Sequence, residues 1–337
     1  MRTASKSLAS RLAEHLVARE IRTQRMQESV GFLRSQPDSR GAVDVSCPSP
    51  VFVLSAGWRS GSTLLQRLLC SGHQTLLWGE PFGDRIPAVR LALTLHEFQP
   101  DDAHLNYSID QFSGDLSKQW VANLNPGVEV LRPAHLAFFE TLLAEPAKRA
   151  GATRWGAKWV RLTGDHAAYL KWLYPDARIL FLVRHPLHAY LSYKGKRWYT
   201  VRPHHQVNSV LRFMAHWRYL AESFIAHRDA LGAMLVRYED LTPESSVIDQ
   251  IEEFVDTPIR RDVLAERVGE RDKQGRRISR WDRAVYRFLA GSVAKSVGYG
   301  PRGEIDLDFT LPGPTLRQDV PHPSSTESRL ATQGMVR

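Results

Sequence analysis

Cysteine is nearly missing from this chain: Cys47 and Cys70 are the two thiols in 337 residues. Two cysteines without a CxxC spacing build neither a zinc site nor a disulfide framework. Cys70 closes an apolar helical stretch and reads as packed rather than reactive. Long apolar runs are missing too, since none approaches the roughly 18 residues that span a bilayer. The stretch from Met1 to Gln36 is basic, broken by Glu14, Glu20 and Glu28, and lacks the apolar segment of a secretory signal. A cytoplasmic protein is therefore expected. Internal repeats and low-complexity runs are absent. So is any acidic excess: 45 Lys and Arg stand against 36 Asp and Glu, a formal charge of +9. That balance favours an anionic ligand without choosing among nucleic acid, a phosphorylated cofactor and an acidic surface.

What is present suits a globular protein with a sizeable core, because 43% of residues are hydrophobic. Three regions are predicted. Residues 1–45 form an amphipathic helix, with Leu8, Leu12, Leu16 and Ile21 at helical spacing, and a polar linker from Ser35 to Arg40. This helix should pack on the main domain or on a second subunit, which leaves a homodimer possible. Residues 46–300 form the main domain. Residues 301–337, with Pro301, Pro312, Pro314, Pro321 and Pro323 among polar neighbours, read as an extended or disordered tail.

Within the main domain, short apolar runs alternate with helices. Val51-Phe52-Val53-Leu54 reads as a buried parallel strand, followed by a glycine turn and a helix carrying Leu64, Leu65, Leu68 and Leu69. Arg178 to Val183 repeats the pattern, with Pro186 opening the next helix. Met234-Leu235-Val236 begins a third unit, whose helix is expected to start at Thr242. Such βαβ units imply an α/β fold with a P-loop-like parallel sheet and helices on both faces. Ligands in these folds lie beyond the carboxyl ends of the strands. The segment 82–149 has no clear strand pattern and reads as a helical insertion beside the site, including a helix from Leu136 to Ala144.

The first strand runs into Ser55-Ala56-Gly57-Trp58-Arg59-Ser60-Gly61-Ser62-Thr63. A strand, a glycine turn and a helix N-terminus together make an anion site of converging N–H groups. Arg59 and the hydroxyls of Ser60, Ser62 and Thr63 add a charge and donors. The alternative is a tight turn whose hydroxyls only cap the helix. The loop is not a Walker A sequence, because no Lys precedes Ser62. The other strand ends offer Arg184 and Arg237 in place of the Mg²⁺-binding Asp of a nucleotide hydrolase. A cofactor with an additional phosphate, and no metal, fits that basic second site.

These residues resemble the PAPS-dependent sulfotransferases, PAPS being 3′-phosphoadenosine-5′-phosphosulfate. Arg59-Ser60-Gly61-Ser62-Thr63-Leu64-Leu65 resembles the family's 5′-phosphosulfate loop. Phe181-Leu182-Val183-Arg184-His185-Pro186, with Ser192 eight residues after the arginine, resembles its 3′-phosphate motif. Val236-Arg237-Tyr238-Glu239-Asp240-Leu241 is similar to a run found downstream in the family. The nearest pattern is that of the tyrosylprotein sulfotransferases and related bacterial enzymes, although Trp58 stands for the usual proline and Ser62 for a threonine. The resemblance covers roughly 50–85 and 155–300. It implies Glu80, in a Gly-Glu pair 21 residues after Arg59, as the catalytic base, and Lys158 with Arg59 as the catalytic cations. It further implies cofactor contacts from Arg59, Ser60, Gly61, Ser62, Thr63, Arg184, Ser192 and Tyr238, and from Lys196, Ser279 and Lys295. PAPS would be the donor, PAP the product, and a small-molecule or peptidyl hydroxyl the acceptor.

Each residue also has an ordinary reading. Glu80 or Lys158 could be solvated, Ser192 an ordinary helical serine, and Tyr238 packed. His185, His188, His204 and His205 invite a metal or general-base role, but His204-His205 follows Pro203 in a loop with no nearby cysteine or carboxylate to complete a metal set. His73 and His104 are alternative bases, as some sulfotransferases use histidine. A P-loop kinase or NTPase, and a basic nucleic-acid-binding protein, are the competing classes. The first lacks GK[ST], and the second should show one continuous basic stripe rather than arginines at strand ends.

Overall fold

The computed structural model describes residues 7–16, 30, 31, 33, 34, 44–82, 87–95, 109, 112–115, 117, 118, 122, 124, 126–194, 207–265 and 277–300. Five short strands form its centre: β1 (Val51–Ser55), β2 (Thr75–Gly79), β3 (Arg154–Trp159), β4 (Arg178–Val183) and β5 (Met234–Arg237). All pair in parallel, in the spatial order β2-β3-β1-β4-β5. The helices in chain order are α1 (Leu8–Leu16), α2 (Ser62–Cys70), α3 (Pro87–Thr94), α4 (Leu131–Phe139), α5 (Glu145–Arg149), α6 (Gly164–Leu173), α7 (Pro186–Lys194), α8 (Val210–Leu231), α9 (Val247–Val255), α10 (Arg280–Leu289) and α11 (Gly291–Lys295). None of the described helices is long and apolar enough to cross a membrane.

The central strands are apolar at successive positions because both faces are covered. Side chains alternate across a strand. Phe52, Leu54 and Phe181 therefore enter one apolar cluster, and Val51, Val53 and Leu182 the other. On the first face Phe224 of α8 stacks on Phe181 at 4.4 Å, and α6, α7, α10 and α11 add further apolar side chains. The second face is covered by Leu65, Leu68 and Leu69 of α2 with Ile248 and Ile251 of α9. The chain thus leaves β1 over the second face towards β2, and leaves β4 over the first face towards β5. Neighbouring strands that depart in opposite directions open a crevice at their carboxyl ends. The loops after β1 and β4 border it.

Two local expectations need correction, and one strand has no counterpart in the sequence reading. Thr75–Gly79 is a strand at the sheet's edge, whose alternating burial makes it short and hard to distinguish from a turn. The helix expected from Thr242 begins at Val247. Tyr238–Asp240 forms a single 3₁₀ turn, and the amide of Thr242 donates back to the Asp240 carbonyl at 3.0 Å. At the N-terminus, α1 packs on the main domain against α8 and α10. The side turned inwards carries Ala13 and Leu16, however, while Leu8 and Leu12 face outwards. Buried Arg218 of α8 sets this orientation, donating to Ser10 at 2.8 Å, to Glu222 at 2.6 Å and to the Leu289 carbonyl at 2.7 Å.

Of the segment 82–149, the described part carries α3, α4 and α5, with a π turn at Glu140–Ala144 joining the last two. The expected helix from Leu136 to Ala144 therefore spans the end of α4 and this turn. The expectation for 301–337 lies outside the described residues.

Candidate active site

β1 delivers the chain into a loop that normal backbone geometry could not close. Gly57, Arg59 and Gly61 all have positive φ, at 86°, 64° and 91°. A left-handed arginine is uncommon and strained. Gly61 is required for a second reason: a Cβ there would lie 2.0 Å from the Tyr238 ring. Ser62 then starts α2, whose first N–H groups have no partner within the helix. Ser60 is fully buried, and its hydroxyl makes no hydrogen bond. Ser55, at the end of β1, is in the same condition. Unsatisfied buried hydroxyls are costly, so two of them between the end of β1 and the start of α2 suit a site built for an anion. Thr63 is exposed on the first turn of α2.

On one side of this loop stand Glu80 and Lys158. Gly79 and Lys158 are partners in the β2–β3 ladder, and the Glu80 amide donates to the Lys158 carbonyl at 2.9 Å. Their side chains form an ion pair, Lys158 Nζ to Glu80 Oε1, at 2.7 Å. Lys158 is buried and also approaches Ser62 Oγ at 3.5 Å, whereas the Glu80 side chain is about a third exposed. Glu80 has φ of 50°, so it too is held in the left-handed region.

On the other side, beyond β4 and β5, lies a cationic group. Arg59 Nε donates to Ser192 Oγ at 2.9 Å, and Arg184 Nη1 donates to the Arg59 carbonyl at 2.9 Å. The Arg184 guanidinium stacks on the Tyr238 ring at 4.2 Å. Burial, then the charge of Arg184, lower the Arg59 pKa, and Tyr238 partly offsets them. Two cations held this close favour an anion between them.

A family model described as "Sulfotransferase family" matches residues 50–261. The chain belongs to the sulfotransferase family. No curated protein matches the sequence. Among solved structures, a sulfotransferase from Alicyclobacillus acidocaldarius is similar at 16% identity and a TM-score of 0.40, over 73% of this chain and 93% of that one. Sulfotransferase STF9 from Mycobacterium avium is similar at 16% identity and a TM-score of 0.39, over 87% of each chain.

In this sulfotransferase, the residues singled out from sequence fall into two groups around one loop. Glu80, Lys158 and Ser62 meet on one side, and Arg59, Arg184, Ser192, Tyr238 and Gly61 on the other. Ser279 is engaged in capping α10, accepting from the Asp282 amide at 3.0 Å while Asp282 accepts from the Ser279 amide. Lys295 is exposed at the end of α11. Lys196 lies outside the described residues, as do His104, His204 and His205. His73 sits in the turn before β2, at the opposite end of the sheet from Glu80, which removes it as a base. Arg237 is not an open strand-end cation, because it is buried and bonded to Asp240 at 2.7 and 3.0 Å. Among the described residues no group of three His, Cys, Asp or Glu is placed to hold a metal ion.

Sequence reasoning missed Glu239. Its carboxylate accepts from the His185 amide at 3.0 Å and from the Tyr299 hydroxyl at 2.7 Å, tying the loop after β5 to the loop after β4. The acid was visible in the run that follows β5, but its long-range partners were not. Trp58 also gains a role: it stacks on His216 at 5.0 Å and packs on Tyr193, with Arg161 over its ring at 5.6 Å. The tryptophan fastens the loop to α7 and α8.

Proposed function

We propose that this sulfotransferase moves a sulfuryl group from PAPS to a hydroxyl acceptor, with Glu80 as general base. The observation that carries this reading is the Glu80–Lys158 pair at 2.7 Å on one side of the anion loop, facing the Arg59–Arg184 group on the other. The donor residues fit a doubly anionic nucleotide. Arg184 and Ser192 hold the 3′-phosphate, Tyr238 lies near the adenosine, and the loop Ser60 to Thr63 offers its amides and hydroxyls to the 5′-phosphosulfate. A 3′-phosphate that engages Ser192 releases Arg59 towards the sulfuryl oxygens.

PAPS supplies an electrophilic SO₃ group. Alignment and charge stabilisation then do most of the work, as in phosphoryl transfer. The acceptor proton passes to the Glu80 carboxylate as the acceptor oxygen bonds to sulfur, and the bond from sulfur to the 5′-phosphate oxygen breaks in line. PAP leaves with that electron pair. Lys158 and Arg59 stabilise the charge that builds on the bridging and sulfuryl oxygens. The domain 46–300 carries this chemistry, and the segment 82–149, which follows Glu80 directly, shapes the acceptor site. Phe82, the first residue of that segment, is exposed with φ of 63°.

Thermal-shift measurements with PAP, ATP–Mg²⁺ and an oligonucleotide test the donor assignment. PAP should stabilise the protein most. Transfer from labelled PAPS to a panel of hydroxyl acceptors should persist in EDTA. Loss of activity in EDTA with rescue by Mg²⁺ would revive the kinase reading, and stabilisation by the oligonucleotide alone the nucleic-acid one.

A further inference from the structure

Eight large apolar side chains are exposed among the described residues, and five of them belong to three neighbouring helices: Leu8, Leu12, Ile225, Trp281 and Phe288. They lie on α1, α8 and α10, three helices that pack against one another. Single exposed hydrophobics are ordinary, but a gathering on adjoining helices marks an interaction surface. Trp281 and Phe288 stand two turns apart on α10, 62% and 52% exposed. Leu8 and Leu12 stand one turn apart on α1. Cations border both stripes. Arg280, Arg283 and Arg287 are exposed on α10, and Arg11 on α1. The single carboxylate of α10, Asp282, is buried and turned back to the Ser279 amide.

On α8, Glu222 and Asp229 flank Ile225, and each is paired with an arginine, Arg218 and Arg228. The remaining excess of arginine selects the occupant. A second copy meeting this face across a two-fold axis would set arginine against arginine. A nucleic acid would satisfy the arginines but leave Leu8, Leu12 and Ile225 without an apolar partner. A bilayer interface satisfies both, since aromatic and aliphatic side chains enter below the headgroups while guanidiniums meet lipid phosphates. We propose that the α1–α8–α10 face docks the protein on an anionic phospholipid surface. None of the side chains in this face belongs to the proposed transfer site, so the two readings stand or fall separately.

Flotation of the full chain with vesicles tests it. The protein should float with phosphatidylcholine vesicles containing phosphatidylglycerol, stay behind with phosphatidylcholine alone, and detach as salt rises. The pair Trp281→Ser and Phe288→Ser should weaken flotation by about tenfold or more, and so should Arg283→Glu with Arg287→Glu. All four side chains are exposed, so each double variant should keep the wild-type unfolding temperature and PAP-induced shift. Equal binding to neutral vesicles, no binding to either, or undiminished binding by both double variants overturns the proposal. It is also overturned if these variants instead abolish oligonucleotide binding or convert a dimer to a monomer.

Discussion

On the β2–β3 side of the anion loop, a carboxylate and an ammonium meet at 2.7 Å and offset each other's charge. On the β4–β5 side, two guanidiniums are held together through a serine hydroxyl, a backbone carbonyl and an aromatic ring. In the proposed reaction the first side is the acid–base couple that an approaching hydroxyl enters. The second side crowds like charges and is relieved by an anion. Damage to the first should therefore appear in turnover, and damage to the second in donor affinity. The loop between them serves both, so its strained residues cannot be assigned to either alone.

The largest effect should come from Glu80→Gln, which keeps the shape but cannot accept the proton. We expect kcat to fall by roughly 10²-fold or more, with PAP affinity nearly unchanged. Initial rates beside a PAP titration would show this, and near-normal turnover in a folded variant would remove Glu80 from the chemistry. Next comes Arg184→Ala. A charge-assisted bond to phosphate is worth about 1.5–3 kcal/mol, so PAP affinity should fall by roughly ten- to a hundredfold or more. Ser192→Ala removes a neutral donor and should cost PAP binding only about two- to tenfold. A larger loss than that of Arg184→Ala would reverse their assigned weights.

The smallest effect lies outside both sides and serves as their control. His227 Nε2 pairs with Asp165 at 3.0 Å, linking α8 to the start of α6. Burial pushes the His227 pKa down, but the hydrogen bond and charge of Asp165 and the Ser223 carbonyl raise it above its usual value overall. The folded protein therefore holds the proton more tightly than the unfolded chain does. The stabilisation is complete below about pH 6.5 and is lost as pH rises through the folded pKa. Asp165→Asn should remove this slope without changing kcat or PAP affinity. Unfolding curves from pH 6 upward in wild type and variant would measure it; parallel curves would contradict it.

How legible each part was depends on the distance over which its cause acts. β1, β4 and β5 were readable because burial on both faces demands continuous apolar residues, and that demand is local. β2 was not, since an edge strand with mixed burial has no such signature. Arg184 stood out as a cation at a strand-to-helix junction, whereas Ser192 was singled out only through the family motif. Glu80 and Lys158 could be proposed only through family likeness, because their meeting depends on β2 pairing with β3 across some eighty residues. For the same reason Glu239 stayed hidden, and Arg237 looked open until Asp240 was seen folded back on it.

Calorimetric titration of PAP and AMP into wild type, Glu80→Gln and Arg184→Ala tests the division between the two sides most directly. AMP lacks the 3′-phosphate, so it reports on the rest of the nucleotide site. The account predicts that Glu80→Gln binds both ligands as wild type does, while Arg184→Ala loses about tenfold or more for PAP and much less for AMP. Equal losses for PAP and AMP in Arg184→Ala, or a comparable loss of PAP in Glu80→Gln, would contradict it.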